Sequence, residues 1–102
     1  MTLSINDWAE EVHRLASEKG FWDDASDDPR FAASLLALIH TEVSEAVEAL
    51  RRNNRENFGE ELADVIIRTL DLAAGCDIDI EQAMLEKHAI NKTRERKHGR
   101  LF

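Results

Sequence analysis

The 102-residue chain reads as all-α, a four-helix bundle whose helices contribute to an intersubunit core. Three observations predict it. Apolar residues recur at three- and four-residue spacing through four segments, helix-starting and helix-stopping residues bracket each segment, and no segment alternates with the period of a half-buried strand. A chain of this length is a single domain over residues 1–102, with a modest core that association would reinforce.

Helix one is expected from about Ile5 to Lys19. Ser4 supplies the capping oxygen with Asp7 three residues on, Trp8, Val12, Leu15 and Ala16 form the apolar stripe, and Gly20 stops it. Trp8 is read as core. Phe21 to Asp28 is an acidic, aromatic loop, and Pro29 suits the first position of helix two, which continues to about Arg52. Asn53 to Asn57 is a polar turn. Helix three is expected from about Phe58 to Ala74, with Gly75 ending it, and Asp79 with Gln82 makes a capping-box-like start to helix four, which lasts to about Arg96. Leu62, Val65, Ile66, Ile67 and Leu70 span most of the circumference of helix three. A helix apolar nearly all round is covered on more than one side. One small chain has few helices to do so, and a homo-oligomer, dimer or tetramer, is expected.

The net charge of −8 and pI near 4.9 exclude a nucleic-acid polymer as partner, because backbone binding depends on broad positive potential. Lys87, Lys92, Arg94, Arg96, Lys97 and Arg100 nevertheless crowd one end, either as a site for a small polyanion or as a solvated tail. Cys76 is the only cysteine, which excludes an intrachain disulfide, and is read as a small buried residue near a helix end. No apolar run approaches ~18 residues and no basic-then-apolar leader follows Met1, so the expectation is a soluble, cytoplasmic protein with no membrane partner.

Two acidic pairs interrupt the apolar pattern: Glu42 with Glu45, and Glu61 with Asp64. Residues three apart share a helix face. On a wheel with Glu42 at zero, Leu35, Ala46, Ile39, Leu50 and Val43 fall between roughly 20° and 100° and Leu38 near 320°. Glu42 thus lies inside the apolar arc, with Glu45 at its margin. Glu61 is flanked by Leu72, Val65 and Phe58 on one side and by Arg68 and Asp64 on the other. Unpaired charges so placed cost several kcal/mol, in order of magnitude, unless compensated. A hard divalent cation resolves the repulsion among four convergent carboxylates, and an all-oxygen donor set favours Mg²⁺, with Mn²⁺ possible, over Zn²⁺. A di-iron bundle needs two Glu-x-x-His motifs, and the chain offers one, Glu10 to His13.

Lys87, Asn91 and Arg94 share one face of helix four, downstream of Ile80, Ala83 and Met84. A face that begins as core and turns cationic is expected at the mouth of a pocket. Cations beside a carboxylate-bound divalent ion are what a di- or triphosphate requires. Phe21 and Trp22 are candidates to stack a base or to plug the end of the bundle, and His40, at the edge of the apolar arc, is either a satisfied boundary histidine or a ligand to the substrate. Arg68 is read as a counter-ion to Asp64 and Asp71.

Taken together these residues resemble the all-α nucleoside triphosphate pyrophosphohydrolases of the MazG-like superfamily. The signature E-x-x-E, a spacer, then E-x-x-D is matched by Glu42/Glu45 and Glu61/Asp64, and the likeness extends to the Gly20-Phe21-Trp22 loop and to Lys87, Asn91, Arg94, His98 and Gly99. Thr41 and Ser44 depart from the consecutive acids of many relatives. The resemblance implies hydrolysis of a (deoxy)nucleoside triphosphate to the monophosphate and pyrophosphate, as nucleotide-pool house-cleaning, with Mg²⁺ on the acidic quartet. It also implies a helical dimer or dimer of dimers; a mechanism built from the residues agrees, with Lys87 and Arg94 offsetting charge on the leaving pyrophosphate and Asn91 donating to a phosphate oxygen or the sugar. Glu45 is the carboxylate expected to act on the water. Two alternatives stand beside it: a phosphoribosyl-ATP pyrophosphohydrolase, and a non-catalytic helical module whose metal only stabilises association.

Overall fold

The computed structural model describes residues 2–102, and among them the regular structure is entirely helical. α1 spans Ile5–Glu18, α2 Pro29–Arg51, α3 Arg55–Gly75 and α4 Ile80–Thr93, with a short 3-10 turn over Arg96–Gly99. α3 lies between α1 and α2 and packs along both.

Local chemistry sets the boundaries. The Ser4 hydroxyl accepts from the Asp7 amide at 3.1 Å while the Asp7 carboxylate accepts from the Ser4 amide at 3.0 Å, a complete capping box. After α2 the chain turns at Asn53, whose φ of 53° is left-handed, and the Asn54 amide closes on the Ala49 carbonyl at 2.9 Å. The Asn54 side chain then accepts from the Asn57 amide at 3.0 Å and caps α3. Two asparagines thus compress the turn, and α3 begins at Arg55, about one turn before the expected Phe58. α4 stops at Thr93 rather than Arg96, because Arg94 is already extended (ψ 153°). Cys76 is not buried: as the C-cap of α3 it stands outside the packed face.

The buried apolar residues are small: Ala9, Val12, Ala46, Ala49 and Ala73. Ala9 and Val12 take the face of α1 turned towards α3, which leaves Trp8, about 100° round the helix from Ala9, 49% exposed instead of in the core. Val43, Val47 and Leu50 on α2, Leu62, Ile66 and Ile67 on α3, and Met84, Leu85 and Ile90 on α4 are likewise exposed. α4 is fastened at its root, where the Ile5 amide donates to Glu81 Oε1 (3.0 Å), Asn6 Nδ2 to Asp79 Oδ1 (2.8 Å) and the Glu81 amide to Asn6 Oδ1 (3.2 Å). Every residue from Gln82 onward is exposed. The radius of gyration, 15.9 Å, exceeds the roughly 13 Å of a compact chain of this length, as a projecting helix requires.

Candidate metal centre

Buried Ala46 and Ala49 let α2 lie close against α3, and that approach brings Glu42 and Glu45 to Glu61. One carboxylate oxygen from each lies within 4.8 Å of the others. Glu42 is 8% exposed, Glu61 half-buried, and Glu45 sits at the exposed rim. Asp64, one turn beyond Glu61, is outside this tight group. It lines the groove between α1 and α3, a cavity of about 430 Å³ that also includes Phe21, Arg68 and Asp71.

The three carboxylates are electrostatically unequal. Burial raises the pKa of Glu42, but the hydrogen bonds and charge it receives, chiefly from Arg68, outweigh burial and hold it below the ordinary carboxylate range. Arg68 Nε donates to Glu42 Oε1 at 2.8 Å across the two helices. Burial likewise raises Glu61, and here the neighbouring carboxyl groups of Glu45 and Glu42 add to it by disfavouring its ionised form. Only Asn57 opposes, and the group is pushed up to about 7. Asn57 Nδ2 donates to Glu61 Oε1 at 3.2 Å, whereas Glu61 Oε2 is buried with no hydrogen-bond partner among the described residues. An orphaned acceptor in a convergent acidic group is a misfit for protein donors and a fit for a cation. The donor set suits a hard divalent ion.

Arg68 therefore answers Glu42, not Asp64 and Asp71 as its spacing implied; a spacing within one helix carries no sign of a partner on another. Asp71 is occupied by His13 Nδ1 at 2.8 Å and Trp22 Nε1 at 2.9 Å. Trp22 is wedged edge-on to His13 (4.6 Å between centroids) and beside Phe31 (5.3 Å). A Cβ on Gly75 would stand 2.0 Å from the Trp22 ring, so only glycine admits this indole. Trp22 thus fastens the α1–α2 loop to the end of α3, while part of it stays exposed on the wall of a cavity beside Phe31 and Asp28. Phe21 is 48% exposed in the α1–α3 groove, with the Arg68 guanidinium 5.6 Å from its ring centroid. His40 is exposed on α2 and makes no hydrogen bond among the described residues.

Lys87 and Asn91 do share the exposed part of α4, whereas Arg94 is the extended residue that caps it and leaves the expected helical face; among the described residues α4 makes no contact with α2. Arg94 Nη1 instead lies 3.2 Å from His98 Nδ1. The pocket-mouth expectation fails within one chain because α4 leaves the body after its first turn. Sequence reasoning missed Asn57, although its four-residue spacing before Glu61 was a usable signal. It also missed the pairing of His13 with Asp71, for which no local pattern exists.

The model of the MazG nucleotide pyrophosphohydrolase domain matches residues 31–101. No curated protein and no solved structure matches the chain. The matched span holds all three clustered carboxylates, Asp64 and the basic face of α4.

Proposed function

We propose, from the premise that the chain belongs to the MazG nucleotide pyrophosphohydrolase family, that it hydrolyses (deoxy)nucleoside triphosphates to the monophosphate and pyrophosphate in a Mg²⁺-dependent reaction serving nucleotide-pool house-cleaning. The observation that carries this reading is the meeting of Glu42, Glu45 and Glu61 around the unpartnered Glu61 Oε2.

Glu42, Glu45 and Glu61 would hold the ion, with Asp64 able to join from the next turn of α3. A divalent cation bound there polarises phosphoryl oxygens and lowers the pKa of a bound water. Of the three, Glu45 is the carboxylate most open to solvent, which suits it to orient the attacking water and take its proton. Lys87 and Arg94 offset charge on the leaving pyrophosphate, and Asn91 donates to a phosphate or sugar oxygen.

Because α4 does not reach the carboxylates of its own chain, its basic face is best placed to serve those of another subunit. The exposed Val43, Val47, Leu62 and Ile66 support such association, since surfaces of this kind are normally covered. No helix among the described residues is long and apolar enough to cross a membrane.

A panel of ribo- and deoxyribonucleoside triphosphates, with phosphoribosyl-ATP included, incubated with Mg²⁺ and read by phosphorus NMR, tests the reading. Monophosphate and pyrophosphate are the expected products. Orthophosphate with a diphosphate, or no turnover of any member, would overturn it.

A further inference from the structure

The chain carries a cation at its acidic cluster that the family signature does not include. Among the described residues, Arg68 alone bonds to that cluster from the cationic side, through Nε to Glu42. Its two terminal amino groups make no hydrogen bond among the described residues. Its side chain is 32% exposed, so the guanidinium is neither sealed in nor loose. Phe21 lies beneath it at 5.6 Å, and the α1–α3 groove that contains both residues and Asp64 is open.

We propose that Arg68 works in two stations, neutralising Glu42 in the ion-free protein and binding a phosphate of the nucleotide once a divalent cation has taken over Glu42. The proposal rests on the metal-dependent phosphohydrolase reading given above. Two physical arguments carry it. A divalent cation and a guanidinium repel, and both draw on the charge of the one Glu42 carboxylate, so uptake of the ion weakens the Arg68–Glu42 bond. The guanidinium thus freed lies beside the carboxylates, where a metal-bound phosphate chain must also lie, and its planar fork of donors matches phosphate oxygens. The Phe21 ring supports the guanidinium in both stations, because a cation over an aromatic face keeps its in-plane N–H groups free.

Calorimetric titration of Mg²⁺ alone, and then of a non-hydrolysable deoxynucleoside triphosphate at saturating Mg²⁺, into wild type, Arg68→Gln and Arg68→Lys tests this. Arg68→Gln is expected to bind Mg²⁺ alone about 3- to 30-fold more tightly, because a competing cation is gone, yet to bind the triphosphate about 10- to 100-fold more weakly. Arg68→Lys keeps the charge without the fork, so Mg²⁺ affinity is expected to stay within about threefold of wild type while triphosphate affinity falls. Opposite signs in the two titrations are what a merely structural residue does not produce. Arg68→Gln that weakens Mg²⁺ binding, or leaves triphosphate affinity unchanged, overturns the proposal. Should Arg68→Gln fail to fold, Arg68→Lys with wild-type triphosphate affinity overturns it. Wild type that takes up no Mg²⁺ overturns the underlying metal reading instead, and is recognised in the first titration.

Discussion

Glu42, Glu45 and Glu61 meet within 4.8 Å between two helices that pack along one another, whereas Lys87 and Asn91 stand on, and Arg94 just beyond, a helix fastened at its root. The same chain finishes one half of its charged apparatus and leaves the other half outstretched. The difference has a physical basis. Carboxylates forced together store repulsion, and only a close, alanine-lined helix contact holds them there. Cations for a triphosphate need no such clamp and can be delivered by association.

The largest effect that would break or confirm this contrast is expected on the acidic side. Glu42→Gln should lower turnover by about a thousandfold or more, in line with loss of a ligand to a catalytic ion, measured as pyrophosphate release. On the basic side, Arg94→Ala should lower kcat/KM by roughly 10- to 1,000-fold while leaving Mg²⁺ affinity unchanged. Lys92→Ala, about 140° round α4 from Lys87, should be nearly silent. If Lys92→Ala hurts as much as Arg94→Ala, the end of the chain is a diffuse charged patch and not a face. Mixing the two impaired variants sharpens the comparison. If one subunit's acids use another's α4, equal amounts of Glu42→Gln and Arg94→Ala should recover activity, about a quarter of sites in a freely exchanging dimer. No recovery after confirmed subunit exchange would place both halves in one chain.

A smaller effect follows from protonation. Glu61 is raised from 4.5 to about 7, so the folded protein retains a proton that the unfolded chain releases. Its contribution to metal-free stability is full below pH 4.5 and is lost as pH rises through about 7. Glu42, held low, contributes above 4.5 and loses its contribution as pH falls through its depressed value. The proton on Glu61 competes with the cation, so Mg²⁺ affinity should fall below pH 7, approaching tenfold per unit. Melting curves at pH 8 without Mg²⁺ should show Glu61→Gln more stable than wild type and Glu42→Gln not, since only the latter deprives Arg68 of its partner.

The sequence made the helix count, the caps and the acidic pairs legible, because each depends on neighbours three or four residues away. Ser4 with Asp7 and Asp79 with Gln82 are local bonds and read as such. What escaped lies across helices or in open space. Arg68 has acids at hand on its own helix and pairs with Glu42 on another; Trp22 sits where it does because Gly75, far along the chain, lacks a side chain. The direction of α4 is set by bonds between Asn6 and the Asp79–Glu81 turn, which no periodicity encodes.

Uptake of Mg²⁺ at pH 8 by wild type and by Glu61→Gln, followed by calorimetry, tests most directly whether the α2–α3 carboxylates form a cation site. Wild type should show saturable binding, and Glu61→Gln, which removes the buried unpartnered oxygen's charge, should weaken it by about tenfold or more. A wild type that takes up no Mg²⁺, or a Glu61→Gln protein that binds it equally well, would contradict the account.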